Sequence, residues 1–180
     1  MEKTLKNTVV KLSREALFIL LTVAGAVILP QILHGAGILL GVGGKLGQIF
    51  LPMYLPVLIL GFYRGPISGA IVGFLAPLVS FAITGMPLEG VLPYITVELI
   101  ALGLMAGVFS KVKMPKLLRV VAAFAAAKLV RLTVYAVALL LTTGTVAPSA
   151  LFAGIVLSLP GMAIQIALVT LLLVLREKKA

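Results

Sequence analysis

The sequence predicts an all-α integral membrane protein: a bundle of six transmembrane helices, with both termini cytoplasmic and a long capping loop between helices 1 and 2. Three observations carry that expectation. The chain is 62% hydrophobic and only 11% charged, where soluble domains run near half apolar and a quarter charged; its mean hydropathy is +1.25. Clusters of Gly, Pro and charge cut the apolar sequence into six stretches near the length of about 20 residues that a bilayer core requires. Finally, the cations collect at alternate ends of those stretches, as they do on the cytoplasmic side of membrane proteins.

The predicted helices of the single membrane domain run over residues 14–33, 48–63, 66–83, 91–110, 117–141 and 149–175. The first follows a basic segment, MEKTLKNTVVKLSREALF, that has the polarity of a signal peptide but no small-residue cleavage site, so a first span is expected. The second is short for a full crossing, and the last is long enough to tilt. Between the first two lies HGAGILLGVGGKLG, residues 34–47, Gly-rich and too interrupted to span, which predicts the capping loop. The third helix repeats Gly65, Gly69 and Gly73 at four-residue spacing, a stripe almost without side chains that lets another backbone approach; the fourth offers Ala101, Gly103, Ala106 and Gly107 in reply.

Lys3, Lys6, Lys11, Arg14, Arg64, Lys111, Lys113, Lys116, Arg119, Arg176, Lys178 and Lys179 all fall on one side of this arrangement, twelve of the fifteen cations. The net charge of +10 is therefore a topology signal and needs no nucleic acid. With no Cys and one His, disulfides, thiolate chemistry and a two-histidine metal site are excluded, and all five acidic residues are Glu. No Walker-type phosphate loop is present. The chain is expected to be neither an enzyme nor a metal or cofactor carrier.

Of the remaining cations, Lys45 lies in a loop, but Lys128 and Arg131 sit within AAKLVRLTVYAV, residues 126–137, in the middle of the fifth helix. A rise of about 1.5 Å per residue puts both near the bilayer midplane and Tyr135 within roughly 10 Å of the outer end. Steps of three and four residues align the three on one face. The fourth helix runs the other way and carries Tyr94 and Glu98, with Glu98 about 10 Å below the outer surface. An ionised side chain at the centre of a span costs about 2.5 to 3.5 kcal/mol on insertion scales, so such residues face a partner or a watery cavity. One alternative is a purely structural Glu98–Arg131 pair, with Lys128 reaching toward the inner interface. Against it, one carboxylate cannot neutralise two cations, and the surplus favours an anionic or hydrogen-bond-rich ligand. His34, Gln31 and Gln48 flank the first loop and are either pocket residues or ordinary interfacial ones; Tyr54 is a single polar tip in an apolar helix, and Gln165 is expected to hydrogen-bond between helices.

The segments LPMYLPVLILGFYRGPISGAIVGFLAPLVSFAITGMP, residues 51–87, and LPYITVELIALGLMAGVFS, residues 92–110, resemble the substrate-binding S components of energy-coupling factor (ECF) vitamin transporters of bacteria and archaea. The likeness lies in the Leu-Pro-Met-x-x-Pro-Val opening, the Gly-rich third helix ending in Thr-Gly-Met-Pro, and the Glu followed by Gly and Ala-Gly. It covers about a third of the chain closely. The resemblance implies a multi-pass plasma-membrane protein that captures a water-soluble vitamin or precursor from outside, in a cavity of the outer half capped by the first loop. The candidate binding residues are then Glu98, Arg131, Tyr135, Lys128, Tyr94, Tyr54, His34 and Gln48. It further implies delivery through a transmembrane coupling subunit and two cytosolic ATPase subunits. The family's Ala-x-x-x-Ala docking motif is matched imperfectly by Ala16, which has Leu20 four residues on, and by the small pair Thr22 and Ala26. Tyr54 stands where relatives often carry His, which leaves the ligand open between a carboxylate such as pantothenate or niacin and a stacked pyrimidine or pyridoxine-like ring. The rival from another class is a stand-alone proton-coupled carrier or channel in which Glu98 titrates and Lys128 and Arg131 line the path.

Overall fold

The computed structural model of the chain describes residues 2–42, 45–143 and 148–178, and every element among them is helical. In order these are α1 (Glu2–Leu39), α2 (Lys45–Phe50), α3 (Tyr54–Arg64), α4 (Pro66–Thr84), α5 (Leu92–Phe109), α6 (Lys116–Thr143) and α7 (Pro148–Glu177). Five helices, α1, α4, α5, α6 and α7, are long and apolar enough to cross a membrane. Large apolar side chains such as Leu20, Leu21, Ile28, Leu129 and Leu141 are exposed on the outside of the bundle, which fits a multi-pass protein whose surroundings are lipid.

The last four expected helices agree with α4 to α7 within two residues at each end. The first two do not. Helix α1 spans 38 residues, about 57 Å at the helical rise against a hydrocarbon core of about 30 Å. Its basic start continues the helix beyond the apolar run because charge ends a span without ending a helix. At the other end α1 persists through His34 and on to Leu39, so the expected loop over 34–47 shrinks. Glycine in a helix costs about 1 kcal/mol, whereas unpaired backbone in an apolar setting costs several. The helix therefore continues until Gly41, which adopts a left-handed φ of 72°. There the Gly41 N–H donates to Ile38 at 3.1 Å and the Val42 N–H to Gly37 at 2.9 Å, the paired bonds of a Schellman cap.

The second expected helix is two helices. The break falls at residues 51–53: Leu51 takes a positive φ of 48°, and Pro52 supplies no N–H and disfavours helical geometry in the residue before it. Helix α3 restarts at Tyr54 and, at 11 residues, is about 16 Å long, half a crossing.

Helix α3 occupies the middle. It touches α1, α4, α5 and α7, while α1, α4, α5, α6 and α7 follow one another around it and α2 bridges α7 back to α1. Its buried face, from Tyr54 through Val57, Leu58, Leu60 and Gly61 to Phe62, is the centre of the core. The tightest packing is α4 on α5. A Cβ on Gly69 would strike the Gly103 carbonyl, one on Gly73 the Leu99 carbonyl, and one on Gly103 the Gly69 carbonyl. Gly107 presses against Pro66, and Gly61 brings α3 into the same seam. Gly65 belongs to the turn instead: its φ of 103° strains any side chain, and nothing lies where a Cβ would go.

Candidate functional site

Helix α6 carries an apolar inward stripe, Val120, Ala123, Phe124 and Ala127, that ends in the buried cation Lys128. From there to Thr143 none of its residues is fully buried. The change from packed to open thus falls at the charged pair Lys128 and Arg131.

Opposite them on α5, Glu98 is completely buried. Its Oε2 accepts a hydrogen bond from Arg131 Nη1 at 2.7 Å, and its Oε1 meets Lys128 Nζ at 2.6 Å. The second contact is a close ammonium–carboxylate pair, so each Glu98 oxygen is engaged by a different cation. One carboxylate facing two cations leaves a single surplus positive charge, and water exclusion magnifies both the attraction and the cost of that surplus.

Tyr54, at the first turn of α3, lies beside this triad. The Lys128 ammonium is 5.4 Å from the centre of its ring, Phe124 stacks on it at 6.5 Å, and its hydroxyl is buried without a partner. Tyr94 and Tyr135 meet edge to face at 4.9 Å, closing α5 against α6 one turn further along. The structure therefore brings together Glu98, Lys128 and Arg131, sets Tyr54 against them, and pairs Tyr94 with Tyr135. The reach of Lys128 toward the basic end, expected in the structural-pair alternative, does not occur, because its ammonium is held by Glu98.

His34 and Gln48 stand apart. His34 is half-buried and its ring packs against Gly47, where a Cβ would overlap it; no hydrogen bond or ion pair joins it to Glu98 among the described residues. Gln48 is on α2, and its side chain lies outside the described residues. On α1, Ala16 is exposed, the Thr22 hydroxyl donates to the Phe18 carbonyl at 2.7 Å, and Ala26 is fully buried within the chain. Ala26 thus faces inward and does not contribute to an outward docking stripe, which leaves Ala16 and Thr22.

The break between α2 and α3 is the feature the sequence reading missed. Its backbone is held from α7: Gln165 Nε2 donates to the carbonyls of Phe50 at 2.7 Å and Leu51 at 2.8 Å. One turn away, Gly161 lets the Ile49 carbonyl and Phe50 close against α7. The expected helix-to-helix bond of Gln165 is present, but its partner is interrupted backbone, whose Leu51 carbonyl otherwise accepts from the Tyr54 N–H at 3.0 Å. Leu51 followed by Pro52 was the available signal. Irregular backbone at membrane depth is tolerated where protein buries it or where it lines a cavity, and here it borders Tyr54 and the charged triad. Compared with known proteins, the chain matches no family model, no curated protein and no solved structure.

Proposed function

We propose that this chain is a membrane-embedded capture protein for a small polar or anionic molecule, of the type represented by the substrate-binding S components of ECF vitamin transporters. The supporting observation is the polar cluster at the break: a fully buried Glu98 tied to two cations, with surplus positive charge, next to a buried Tyr54 hydroxyl that has no partner. Surplus positive charge next to a buried hydroxyl suits a ligand that accepts hydrogen bonds. The less closely packed outer half of α6 and the edge-to-face tyrosines supply polar and aromatic walls for it.

In this reading the basic end faces the cytoplasm, the side the cation distribution favours. The ligand enters from the other side, α2 and the residues around it close over the site, and a coupling subunit with two ATPases drives release. The protein itself performs no chemistry.

The test is a thermal-shift screen of the purified chain against water-soluble vitamins and their precursors, repeated with Arg131→Ala. One compound should stabilise the wild type. Arg131→Ala should weaken its binding by about 1.5 to 3 kcal/mol, the loss typical of a hydrogen bond to a charged group. Unchanged affinity would remove the residue from the site. Liposomes separate the carrier alternative, because a self-sufficient proton-coupled carrier moves substrate under a pH gradient with this chain alone.

A further inference from the structure

A second polar site lies at the opposite end of the molecule, among the ends of α5, α6 and α7. A pocket of ≈ 190 Å³ is lined there by Ser110, Lys116, Arg119, Arg176 and Glu177, with Phe62 and Leu173 as its apolar wall. Three cations face one carboxylate, and Lys111, Lys113 and Lys178 are exposed at the same end. Arg119 is fixed in place: its Nε donates to the Met114 carbonyl at 2.9 Å and its Nη1 to the Ser110 carbonyl at 3.3 Å. Arg176 is held with its guanidinium 4.5 Å from the centre of the Tyr63 ring. Among the described residues, Lys116 pairs with Glu177, which also faces Arg119. The first turn of α6 contains no acid, although the positive end of a helix dipole favours one. Cations there oppose the dipole instead of balancing it, and a bound anion would resolve the mismatch.

We propose that this pocket binds a phosphate group. Fixed guanidinium groups beside an ammonium and an open helix N-terminus match phosphate oxygens. Phe62 and Leu173 place the site at the edge of the apolar spans, where the phosphodiester of an anionic lipid is the nearest source; a free phosphate has the same chemistry. The proposal does not depend on the ligand site at Glu98.

Native mass spectrometry of the full chain tests it, with phosphatidylglycerol, phosphatidylcholine or inorganic phosphate as the probe. Phosphatidylglycerol should be retained in preference to phosphatidylcholine. Lys116→Gln and Arg176→Gln should each lower that retention about fivefold, the effect of one cation near an anionic surface. Glu177→Gln should raise it, a gain that misfolding cannot imitate. Lys111→Gln and Lys113→Gln remove equal charge outside the pocket and should lower retention less than Lys116→Gln does. Retention of inorganic phosphate with the same dependence on Lys116 would support the site and identify a soluble source. Equal losses in the Lys111 and Lys116 variants, or no preference for phosphatidylglycerol, would overturn it.

Discussion

Helix α5 binds its two neighbours by opposite means. Toward α4 it presents Gly103 and Gly107, and the interface holds because almost nothing separates the two backbones. Toward α6 it presents Glu98, and the interface holds because one carboxylate reaches two cations. Lipid offers no hydrophobic incentive for helices to associate, so they associate through close van der Waals contact or through polar bonds. Close contact has no tolerance for added volume, and the polar bond has none for lost charge. A close-packed seam also has no space for a ligand. The charged contact, with its surplus cation beside the buried Tyr54 hydroxyl, is the half of the molecule suited to one.

The largest effect should come from the charged side. Glu98→Ala leaves Lys128 and Arg131 buried without a counter-charge and should cost about 3 to 5 kcal/mol, read from unfolding in mixed detergent and SDS. Replacing all three groups with apolar residues of similar size, as Glu98→Leu, Lys128→Met and Arg131→Met, should recover most of that loss, since a buried ion pair adds little net stability. The same triple variant should abolish ligand stabilisation in the thermal-shift assay. Retained ligand binding would make the cluster a purely structural device.

Next comes the glycine seam. Gly103→Ala should destabilise by about 1 to 3 kcal/mol in the same SDS titration, the range for overpacking, because the obstacle is the Gly69 backbone and cannot rotate away. Gly25→Ala adds the same methyl where nothing lies within 4 Å and is the matched control. If both behave alike, the α4–α5 seam is looser than its geometry implies.

Gln165→Leu should cost about 1 to 2 kcal/mol, because the Phe50 carbonyl loses its Gln165 donor and the Leu51 carbonyl keeps only the Tyr54 N–H. Hydrogen exchange should rise around residues 45–54 and remain low in α4 and α5. The smallest effect belongs to the Arg64–Glu15 pair, whose side chains are each 29% exposed. Glu15→Gln should change stability by less than about 1 kcal/mol, and less still at high salt.

Much of this was legible in the chain. The boundaries of α4 to α7 follow from Gly, Pro and charge, because a span must be continuous and apolar, and few residue types interrupt it. Glu98, Lys128 and Arg131 were conspicuous because charge within a span is costly and requires a partner. The division of the second helix was harder to foresee: Pro52 marks a possible break, but whether a break survives depends on a donor from elsewhere, and Gln165 is more than a hundred residues away. Ala26 illustrates the same limit, since a small residue suits an inner seam and an outer docking face equally well.

By itself, then, the sequence determined the bounds of the last four apolar helices, the packing role of most of the glycine stripe and the identity of the charged residues, because each depends on local composition and period. Only the tertiary structure decided that Glu98 holds both cations at once, that Gly65 is a turn and that α3 starts halfway along the bundle. Those outcomes depend on which groups distant segments bring within hydrogen-bonding or van der Waals reach, and no local rule contains that distance.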